Sequence, residues 1–472
     1  RPPRSTHCIS SAASDVYKRQ VSGFDGLYGQ DSYAYLDQAR KIQAWMQDGS
    51  PTGQFFWTRN YPLLGALWPF GGLQYWMQFL SIVGISLSVA SIIGCTQNNG
   101  KRSVWLGPIV MILLGLSPFF LRNALSIMSD SLSIGLLMGG IWAGDSAWKR
   151  KRMSGVLLGA FLLGAAVWMR NPLLLLAFPI FSYWVFRCIK AKQFLPILGM
   201  LALFFVTALP ELLILPSKGG NAYLASVKHS YLQDWSFLNF FKREFIDTEG
   251  HQRYKLPNLL ALTGAIWHLG YWGIGVLGIG LHALGRKVIT TKVSWTLIAG
   301  VVLYVLLLAG IPFQNNRFLL PLLPFVALWL VGGWIWLMEK VQRKFAILLI
   351  TAFFLTNLLF AGYINLKIVT RSQMEVEIAT ELPLRITSDE TLFEFGMGIM
   401  LDAREVAVQH HTMYDSLQIA PKKGDWVLFN LKMNREVWKG KWPMRNWESI
   451  NAEFEAQISQ EWEGGWTLYE LQ

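Results

Sequence analysis

Charged residues are scarce in this chain. Of its 472 residues, 15% are Asp, Glu, Lys or Arg and 53% are hydrophobic, whereas an average soluble domain carries roughly 25% charge. Cysteine is scarcer still, because the three copies, Cys8, Cys95 and Cys188, lie far apart in the sequence. The low charge excludes a soluble enzyme of ordinary composition. The scattered cysteines exclude a disulfide framework and a zinc site.

Several common catalytic motifs are also missing. The chain has no Gly-rich phosphate-binding loop, no HExxH zinc motif and no GxSxG nucleophile elbow. ATP-driven chemistry and serine-hydrolase chemistry therefore have no support. The net charge of +12 does not indicate a nucleic-acid partner, because the basic residues form short clusters between apolar runs, where a membrane explains them better.

Long apolar runs make up most of the chain instead. A helix needs about 20 apolar residues to cross a bilayer. Ten stretches reach or approach this length, at residues 72–95, 104–121, 124–144, 153–169, 172–186, 194–216, 263–285, 293–311, 318–338 and 345–364. These runs predict an α-helical polytopic membrane protein.

Clusters of Lys and Arg between the runs predict their orientation. Five alternate connections carry such clusters, at residues 101–102, 149–152, 187–192, 286–292 and 340–344. Because Lys and Arg accumulate in cytoplasmic loops, all five are predicted to face the cytoplasm. The protein is then expected in the cell (inner) membrane, with outer loops 21–71 and 217–262 and its C-terminus on the extracytoplasmic, periplasmic side.

The chain divides into three predicted parts. Residues 1–20 are polar and resemble translated adaptor sequence, so they are expected to be a non-native extension. Residues 21–364 are predicted to form the transmembrane module, with one further N-terminal helix expected in the natural protein to carry the first outer loop across. Residues 365–472 hold 11 basic and 17 acidic groups. Strand-like runs at 391–395, 425–431 and 466–471 and a helical pattern at 446–460 predict a small α/β domain there.

Three arginines lie at outer helix ends, where the charge rule does not account for them: Arg122, Arg170 and Arg317. Each alone could extend its charge to lipid headgroups. Together they favour an anion site, because a guanidinium group matches phosphate geometry with two parallel hydrogen bonds.

Two carboxylates are the other candidates. Asp31 lies at the start of a segment with apolar residues every three or four positions, which predicts a helix along the membrane surface. Asp31 could be the N-cap of this helix or a general base at the water–lipid boundary. Asp130 is predicted to lie about a turn and a half inside a span, where it must be paired, neutral or facing a wet cavity.

Asp130 is also a candidate for substrate binding, and four further residues are candidates with it: Arg59, Tyr61, His229 and Trp235. The first two belong to the first outer loop and the last two to the second. Lone histidines such as His229 and His251 could ligate a metal or relay protons, but they are also common as simple interfacial residues.

Four segments in order resemble the GT-C glycosyltransferases, close to glycosyltransferase family 39, which includes protein O-mannosyltransferases and lipid A aminoarabinose transferases. They are YGQDSYAYLDQARKI with RNYPLLGALWPFGG, LRNALSIMSDSLSIGLLMGGIWAG, LLGAAVWMRNPLLLLAFPIF and PFQNNRFLLPLLPFVALWL. Each motif alone is weak. Their common order and sidedness make the set specific, and the likeness extends over roughly residues 24–364 together with a small outer C-terminal domain.

The resemblance implies an enzyme that passes a sugar from a polyprenyl-phosphate carrier to an acceptor hydroxyl of a lipid, glycan or protein. Asp31 then maps to the catalytic carboxylate. Arg317, followed by Arg170 and Arg122, is implied to hold the departing lipid phosphate. The chain departs from the family at residues 314–316, which are Gln-Asn-Asn where some members have His or an acid. No metal ligand is therefore assigned, although a divalent cation stays open.

Two other functions compete with this one. A secondary transporter would need polar sites near the membrane midplane and two similar halves. The sequence offers Asp130 and Glu211 but no visible repeat. A glycan ligase or polymerase of another polytopic fold would use a diphosphate-linked donor.

Overall fold

The computed structural model describes residues 24–53, 55–98, 103–214, 234–247, 250–264 and 295–472. Most of this part of the chain is helical, and its strands pair into a two-stranded and a five-stranded sheet. This architecture confirms the predicted fold class, a polytopic helical protein with a small C-terminal α/β domain. Residues 1–20, His229 and nearly all of the apolar run 263–285 lie outside the described residues.

Helix α1 (Gly29–Asp48) and the short helix α2 (Asn60–Ala66) come first. The helices that follow are α3 (Leu73–Asn98), α4 (Leu106–Gly115), α5 (Pro118–Leu125), α6 (Ser129–Lys149), α7 (Met153–Met169), α8 (Asn171–Lys190), α9 (Phe194–Val206), α10 (Leu209–Leu213), α11 (Asn258–Ala261), α12 (Trp295–Gly310), α13 (Asn316–Lys340) and α14 (Arg343–Arg385). Helix α4 ends in a π turn, and α8 and α13 each begin with a 3₁₀ turn.

Four helices of the described part, α3, α8, α13 and α14, are long and apolar enough to cross a membrane, and α4 with α5 would add a fifth, bent span. Helices α7, α9 and α12 are apolar but shorter. A helix of 17 residues, such as α7, is about 26 Å long, slightly less than a hydrocarbon core of about 30 Å. The predicted spans among the described residues therefore correspond to helices of unequal length, and α6, which falls on the run 124–144, belongs to neither of these two groups.

Two predicted spans differ from the observed helices. The run 104–121 was expected to be one helix, but the chain bends by 70° between α4 and α5. The bend falls where Pro118 begins α5, because proline cannot continue the hydrogen bonding of a preceding helix. The run 124–144 is displaced, since Ser126 and Met128 are extended and α6 begins only at Ser129. The expected depth of Asp130 is therefore wrong, and this residue lies in the first turn of α6.

Two other elements end away from their predicted limits. The run 194–216 stops as helix α9 at Val206 and resumes as the short α10, which contains Pro210. The run 345–364 continues as α14 for 43 residues in all. Helix α14 therefore leads directly from the bundle to the C-terminal sheet.

The C-terminal sheet has the strand order β4-β3-β5-β7-β6. Its strands are β3 (Leu392–Glu394), β4 (His410–Thr412), β5 (Trp426–Phe429), β6 (Ala456–Trp462) and β7 (Trp466–Leu471). Strand β3 is parallel to β4 and β5, and β7 is antiparallel to β5 and β6. Strands β3, β5 and β7 lie within the predicted strand-like runs. The predicted helical pattern 446–460 is only partly helical.

Three short helices accompany the sheet, α15 (Gly398–Ala403), α16 (Leu431–Val437) and α17 (Trp442–Glu453). A separate hairpin is formed by β1 (Glu244–Asp247) and β2 (Gly250–Arg253) before α11. Helix α1 packs against the C-terminal domain, with Tyr33 and Leu36 in the same apolar cluster as Met400 and Leu401 of α15.

Close helix contacts fix the position of α6. A Cβ atom on Gly135 would lie 2.3 Å from the carbonyl oxygen of Gly84 in α3, and one on Gly144 would lie 2.2 Å from the ring of Trp184 in α8. Only glycine allows a neighbouring backbone or ring to approach this closely, and small residues are common where membrane helices pack. Helix α6 is therefore held rigidly between its neighbours, and so is the acidic residue in its first turn.

Candidate active site at one end of the helical bundle

Asp130 is the centre of a charged cluster. It is fully buried, and its Oδ1 lies 2.5 Å from Nη1 of Arg170. Its Oδ2 lies 2.7 Å from Nη2 and 2.8 Å from Nε of Arg317. An isolated buried carboxylate would be costly, whereas two guanidinium groups and the positive end of the α6 dipole compensate this one. Asp130 therefore fixes the positions of both arginines.

Turns between helices present the two arginines. Arg170 joins α7 to α8 in an extended conformation, with φ −154° and ψ 96°. Arg317 lies in the 3₁₀ turn that begins α13, and the side chain of Asn315 caps this turn by accepting a 2.9 Å hydrogen bond from the Arg317 amide. The ring of Phe318 lies under Arg170, 5.8 Å from Cζ. Both guanidinium groups are thus held by local structure as well as by Asp130.

Asp31 completes the cluster. Its Oδ2 accepts a hydrogen bond from Nη1 of Arg317. Asp31 is in the first turn of α1, but the N-cap residue is Tyr28 and no side chain caps this helix. The N-cap interpretation of Asp31 is therefore wrong, and its carboxylate faces Arg317 instead.

The four charged side chains of the cluster differ in their exposure to solvent. The exposed fractions of the side chains are 0% for Asp130, 11% for Arg170, 17% for Arg317 and 25% for Asp31. Asp31 is thus the most accessible of the four charges. In addition, Nε of Arg170 is buried without a hydrogen-bond partner among the described residues. Arg170 therefore keeps a donor that no described residue uses.

Tyr35 contacts the residue next to Asp130 and lies one turn after Asp31 on α1. Its hydroxyl group lies 2.8 Å from Oγ of Ser129, the residue before Asp130. Its ring packs edge-on against Tyr61, with 5.2 Å between the centroids. Burial raises the pKa of the Tyr35 hydroxyl, so this group stays neutral. Sequence reasoning missed Tyr35, although its spacing of four residues from Asp31 was a usable signal.

Arg122 lies apart from the other two arginines. Its Nη2 donates a 2.9 Å hydrogen bond to the hydroxyl oxygen of Tyr28, and its guanidinium lies 5.0 Å from the centre of that ring. Among the described contacts it touches neither Asp31 nor Asp130. The expected trio is therefore a pair in this structure, and a phosphate-binding role of Arg122 stays a prediction.

Arg59 and Tyr61 are buried inside the first outer loop. The Nη1 of Arg59 lies 3.4 Å from Oε2 of Glu211, and the Arg59 amide also donates to this carboxylate. The hydroxyl of Tyr61 donates to the carbonyl oxygen of Met77 at 2.8 Å. Both side chains thus have partners within the protein, and substrate binding by them stays a prediction.

Trp235 is at the edge of the bundle. Its indole N–H donates to the carbonyl oxygen of Leu306 at 3.3 Å, and 42% of the residue is exposed. It is not in contact with the charged cluster within the described part of the chain. Within that same part, no three His, Cys, Asp or Glu side chains come together as metal ligands.

Comparisons with known proteins place the fold. No family model and no curated protein sequence matches the chain. Two structures of ArnT from Cupriavidus metallidurans are similar over almost the whole chain. The apo structure has a TM-score of 0.55 at 12% identity and covers 98% of this chain and 97% of its own. The structure bound to undecaprenyl phosphate has a TM-score of 0.57 at 11% identity and covers 99% and 98%.

An archaeal structure is also similar, the oligosaccharyltransferase of Archaeoglobus fulgidus tethered with an acceptor peptide. Its TM-score is 0.53 at 11% identity, and the match covers 94% of this chain and 70% of that one. Both relatives are GT-C fold glycosyltransferases. At these identities the likeness shows the fold, so the GT-C fold expected from the four sequence segments is confirmed. The chain is a multi-pass membrane protein.

Proposed function

We propose that the protein is a membrane glycosyltransferase that moves a sugar from a polyprenyl-phosphate-linked donor to an acceptor hydroxyl on the extracytoplasmic face. The observation that carries this proposal is the single cluster of Asp31, Asp130, Arg170 and Arg317 at one end of a GT-C bundle. The structure of ArnT bound to undecaprenyl phosphate supports the choice of a lipid phosphate as the group that binds there.

The arginines supply the phosphate site. The lipid phosphate leaves with negative charge, and preorganised donors that stabilise such charge are the largest single contribution in many enzymes. Arg317 spends Nε and Nη2 on Asp130 and Nη1 on Asp31. A phosphate that binds Arg317 also lies near the negative carboxylate of Asp31, so the two like charges compete for the guanidinium, while Asp130 keeps it in place.

Asp31 supplies the base. When the phosphate takes the Nη1 donor of Arg317, the Asp31 carboxylate is released toward the acceptor. The acceptor oxygen then attacks the anomeric carbon, its proton passes to Asp31, and the bond between that carbon and the phosphate oxygen breaks. The products are the glycosylated acceptor and the polyprenyl phosphate, which stays paired with Arg317 and Arg170.

Charge along α6 supports the outward placement of the site. Asp130 is in the first turn of this helix, and its last turn ends at Lys149, the first of four consecutive basic residues at 149–152. Since Lys and Arg mark cytoplasmic ends, the charged cluster belongs at the opposite, extracytoplasmic end. The same placement weakens the transporter alternative, which needs polar sites near the midplane.

Donor chemistry is the test of the proposal. We expect the purified full chain in liposomes, given a membrane extract as acceptor, to release polyprenyl phosphate from sugar-loaded polyprenyl monophosphates. Release can be followed by chromatography of the labelled lipid for a panel of hexoses and pentoses. Turnover of matched diphosphate donors alone would favour the ligase or polymerase alternative. Solute uptake by the vesicles without any turnover would favour the transporter.

Replacing Arg317 with Lys should reduce kcat/KM for the donor by roughly 10- to 100-fold, because one ammonium group cannot keep the hydrogen bonds of a guanidinium to Asp130 and to phosphate. Steady-state kinetics on the liposome assay measures this loss. The control is Arg187→Lys at the other end of the bundle, where the guanidinium stacks 4.4 Å from the Trp148 ring. Equal kinetics for both variants would remove Arg317 from donor binding.

A further inference from the structure

We infer that Arg404 of the C-terminal domain is a positioning residue for Asp31, acting through Tyr33. The C-terminal sheet domain would thereby help to position a residue of the active site. This inference rests on the proposed function, in which Asp31 accepts the acceptor proton. Among the described contacts Arg404 touches neither Asp31 nor Arg317, so its effect must pass through the segment that carries Asp31.

Arg404 holds the chain on both sides of Asp31. Its Nε and Nη2 both donate to the hydroxyl oxygen of Tyr33, at 3.1 and 2.9 Å. Its Nη1 donates to Oδ2 of Asp25 at 3.1 Å. Asp25 precedes α1 and Tyr33 lies within it, so one guanidinium group from the C-terminal domain fixes the start of the helix.

The hydroxyl of Tyr33 also links α1 to α14 by a hydrogen bond. It donates a 2.8 Å hydrogen bond to Oε2 of Glu375, which is 1% exposed, and Oε1 of Glu375 accepts from Nε of Arg371 at 2.8 Å. Burial raises the pKa of the Tyr33 hydroxyl, so it keeps the proton that it donates. A buried network whose members are hydrogen-bonded to one another is rigid, and this one ties three elements together.

Tyr28, three residues before Asp31, is also held by contacts with neighbouring side chains. Its ring lies 5.0 Å from the guanidinium of Arg122 and 5.4 Å from that of Arg371. Its amide donates to Oγ of Ser32 at 2.6 Å, and this hydroxyl donates back to the Tyr28 carbonyl oxygen at 2.7 Å. Asp31 thus lies between Tyr28 and Tyr33, which are both fixed by arginine contacts. Arg122 contributes to this by its contact with Tyr28.

The network has no room for a substrate. The cavity between α1, α14 and the sheet domain has a volume of about 10 Å³ and is lined in part by Tyr33, Arg371 and Glu375. About one probe sphere of space is the minimum that a water molecule needs. These side chains therefore contact one another, and their effect on chemistry is to hold the segment that carries Asp31.

Two substitutions test this in the full chain. Arg404→Met removes the hydrogen bonds to both Tyr33 and Asp25, and Tyr33→Phe removes only the Tyr33 hydroxyl. Both should speed hydrogen–deuterium exchange of the amides in residues 25–36. Both should also lower kcat by about 10-fold, because a shift of 1 Å at a reacting group can cost ~10²-fold, while KM for the donor changes by less than about two-fold. Arg170 and Arg317 keep their contacts with Asp130, and Asp31 keeps its charge, hence the split between kcat and KM.

The control is Arg385→Met, at the end of α14, where the guanidinium makes an exposed ion pair with Glu381 at 3.3 Å. It should leave exchange and kcat as in the wild type. Unchanged exchange in Arg404→Met would overturn the inference, and so would faster exchange with an unchanged kcat. If the wild-type chain transfers no sugar at all, the proposed function fails, and the exchange measurement alone decides whether Arg404 orders this segment.

Discussion

Replacing Asp31 with Asn is expected to reduce sugar transfer by about 10²- to 10⁴-fold, the range that a positioned general base contributes. Asn keeps the size of Asp and can still accept a hydrogen bond from Arg317, but it cannot take up the proton of the acceptor hydroxyl. Expression, membrane insertion and thermal stability should stay close to the wild type, because Asp31 is the most exposed member of the cluster. Transfer rates of the purified variant in liposomes measure the effect.

Asp37→Asn is the matched control, because Asp37 lies on the same helix and makes a 2.6 Å ion pair with Lys41 at the surface. We expect this variant to transfer sugar at the wild-type rate. If Asp31→Asn also kept that rate, Asp31 would have no part in the chemistry, whatever its contact with Arg317.

Replacing Asp130 with Asn should have the largest effect on stability. The substitution removes a charge that faces both Arg170 and Arg317 in a fully buried position. Breaking a buried ion pair by removing one partner costs about 3–5 kcal/mol, because the other charge stays buried and uncompensated. We expect a lower melting temperature in detergent, lower yield and no transfer, since neither arginine keeps its position.

Helix α6 provides the comparison within one element. Asp145 pairs with Lys149 at 2.8 Å at the opposite end, and both side chains are about half exposed. An exposed pair of this kind contributes at most about 1 kcal/mol, so Asp145→Asn should melt close to the wild type. Equal melting temperatures for the two variants would contradict the view that Asp130 holds the site together.

The sequence was sufficient to identify the charges but not their partners. Asp130 could be recognised because a carboxylate beside a membrane span must be compensated. Its contact with Arg317 spans 187 residues of chain and that of Asp31 with Arg317 spans 286. Contacts over such separations depend on how the helices pack, and no local spacing encodes them.

Arg122 is a second residue whose partner could not be predicted from the sequence. In the sequence it is equivalent to Arg170 and Arg317, one arginine at an outer helix end. Arg122 lies on α5, after the 70° bend, and its guanidinium contacts Tyr28 and not Asp130. Proline at residue 118 was visible in the sequence, but the direction of the bend follows from packing against α14 and α3, which the sequence pattern does not specify.

The link between the C-terminal domain and α1 was also beyond sequence reasoning. The predicted strand-like runs contain β3, β5 and β7, because alternating and buried apolar residues are local signals. The surface that this domain presents to Tyr33 comes from Arg404, after α15, and a single arginine in a loop carries no signal of its own. The continuation of α14 through the expected domain limit places the two parts in contact.

In the proposed mechanism one guanidinium group, Arg317, serves both the catalytic carboxylate and the lipid phosphate. The most direct test of this shared role is the affinity of the wild type, Asp31→Asn and Arg317→Gln for a fluorescent polyprenyl phosphate in nanodiscs. Since the Asp31 charge competes with phosphate for Arg317, Asp31→Asn should bind the lipid more tightly than the wild type even though it transfers sugar about 10²- to 10⁴-fold more slowly. Arg317→Gln should bind it more weakly. Weaker binding by Asp31→Asn, or unchanged binding by Arg317→Gln, would contradict a shared site.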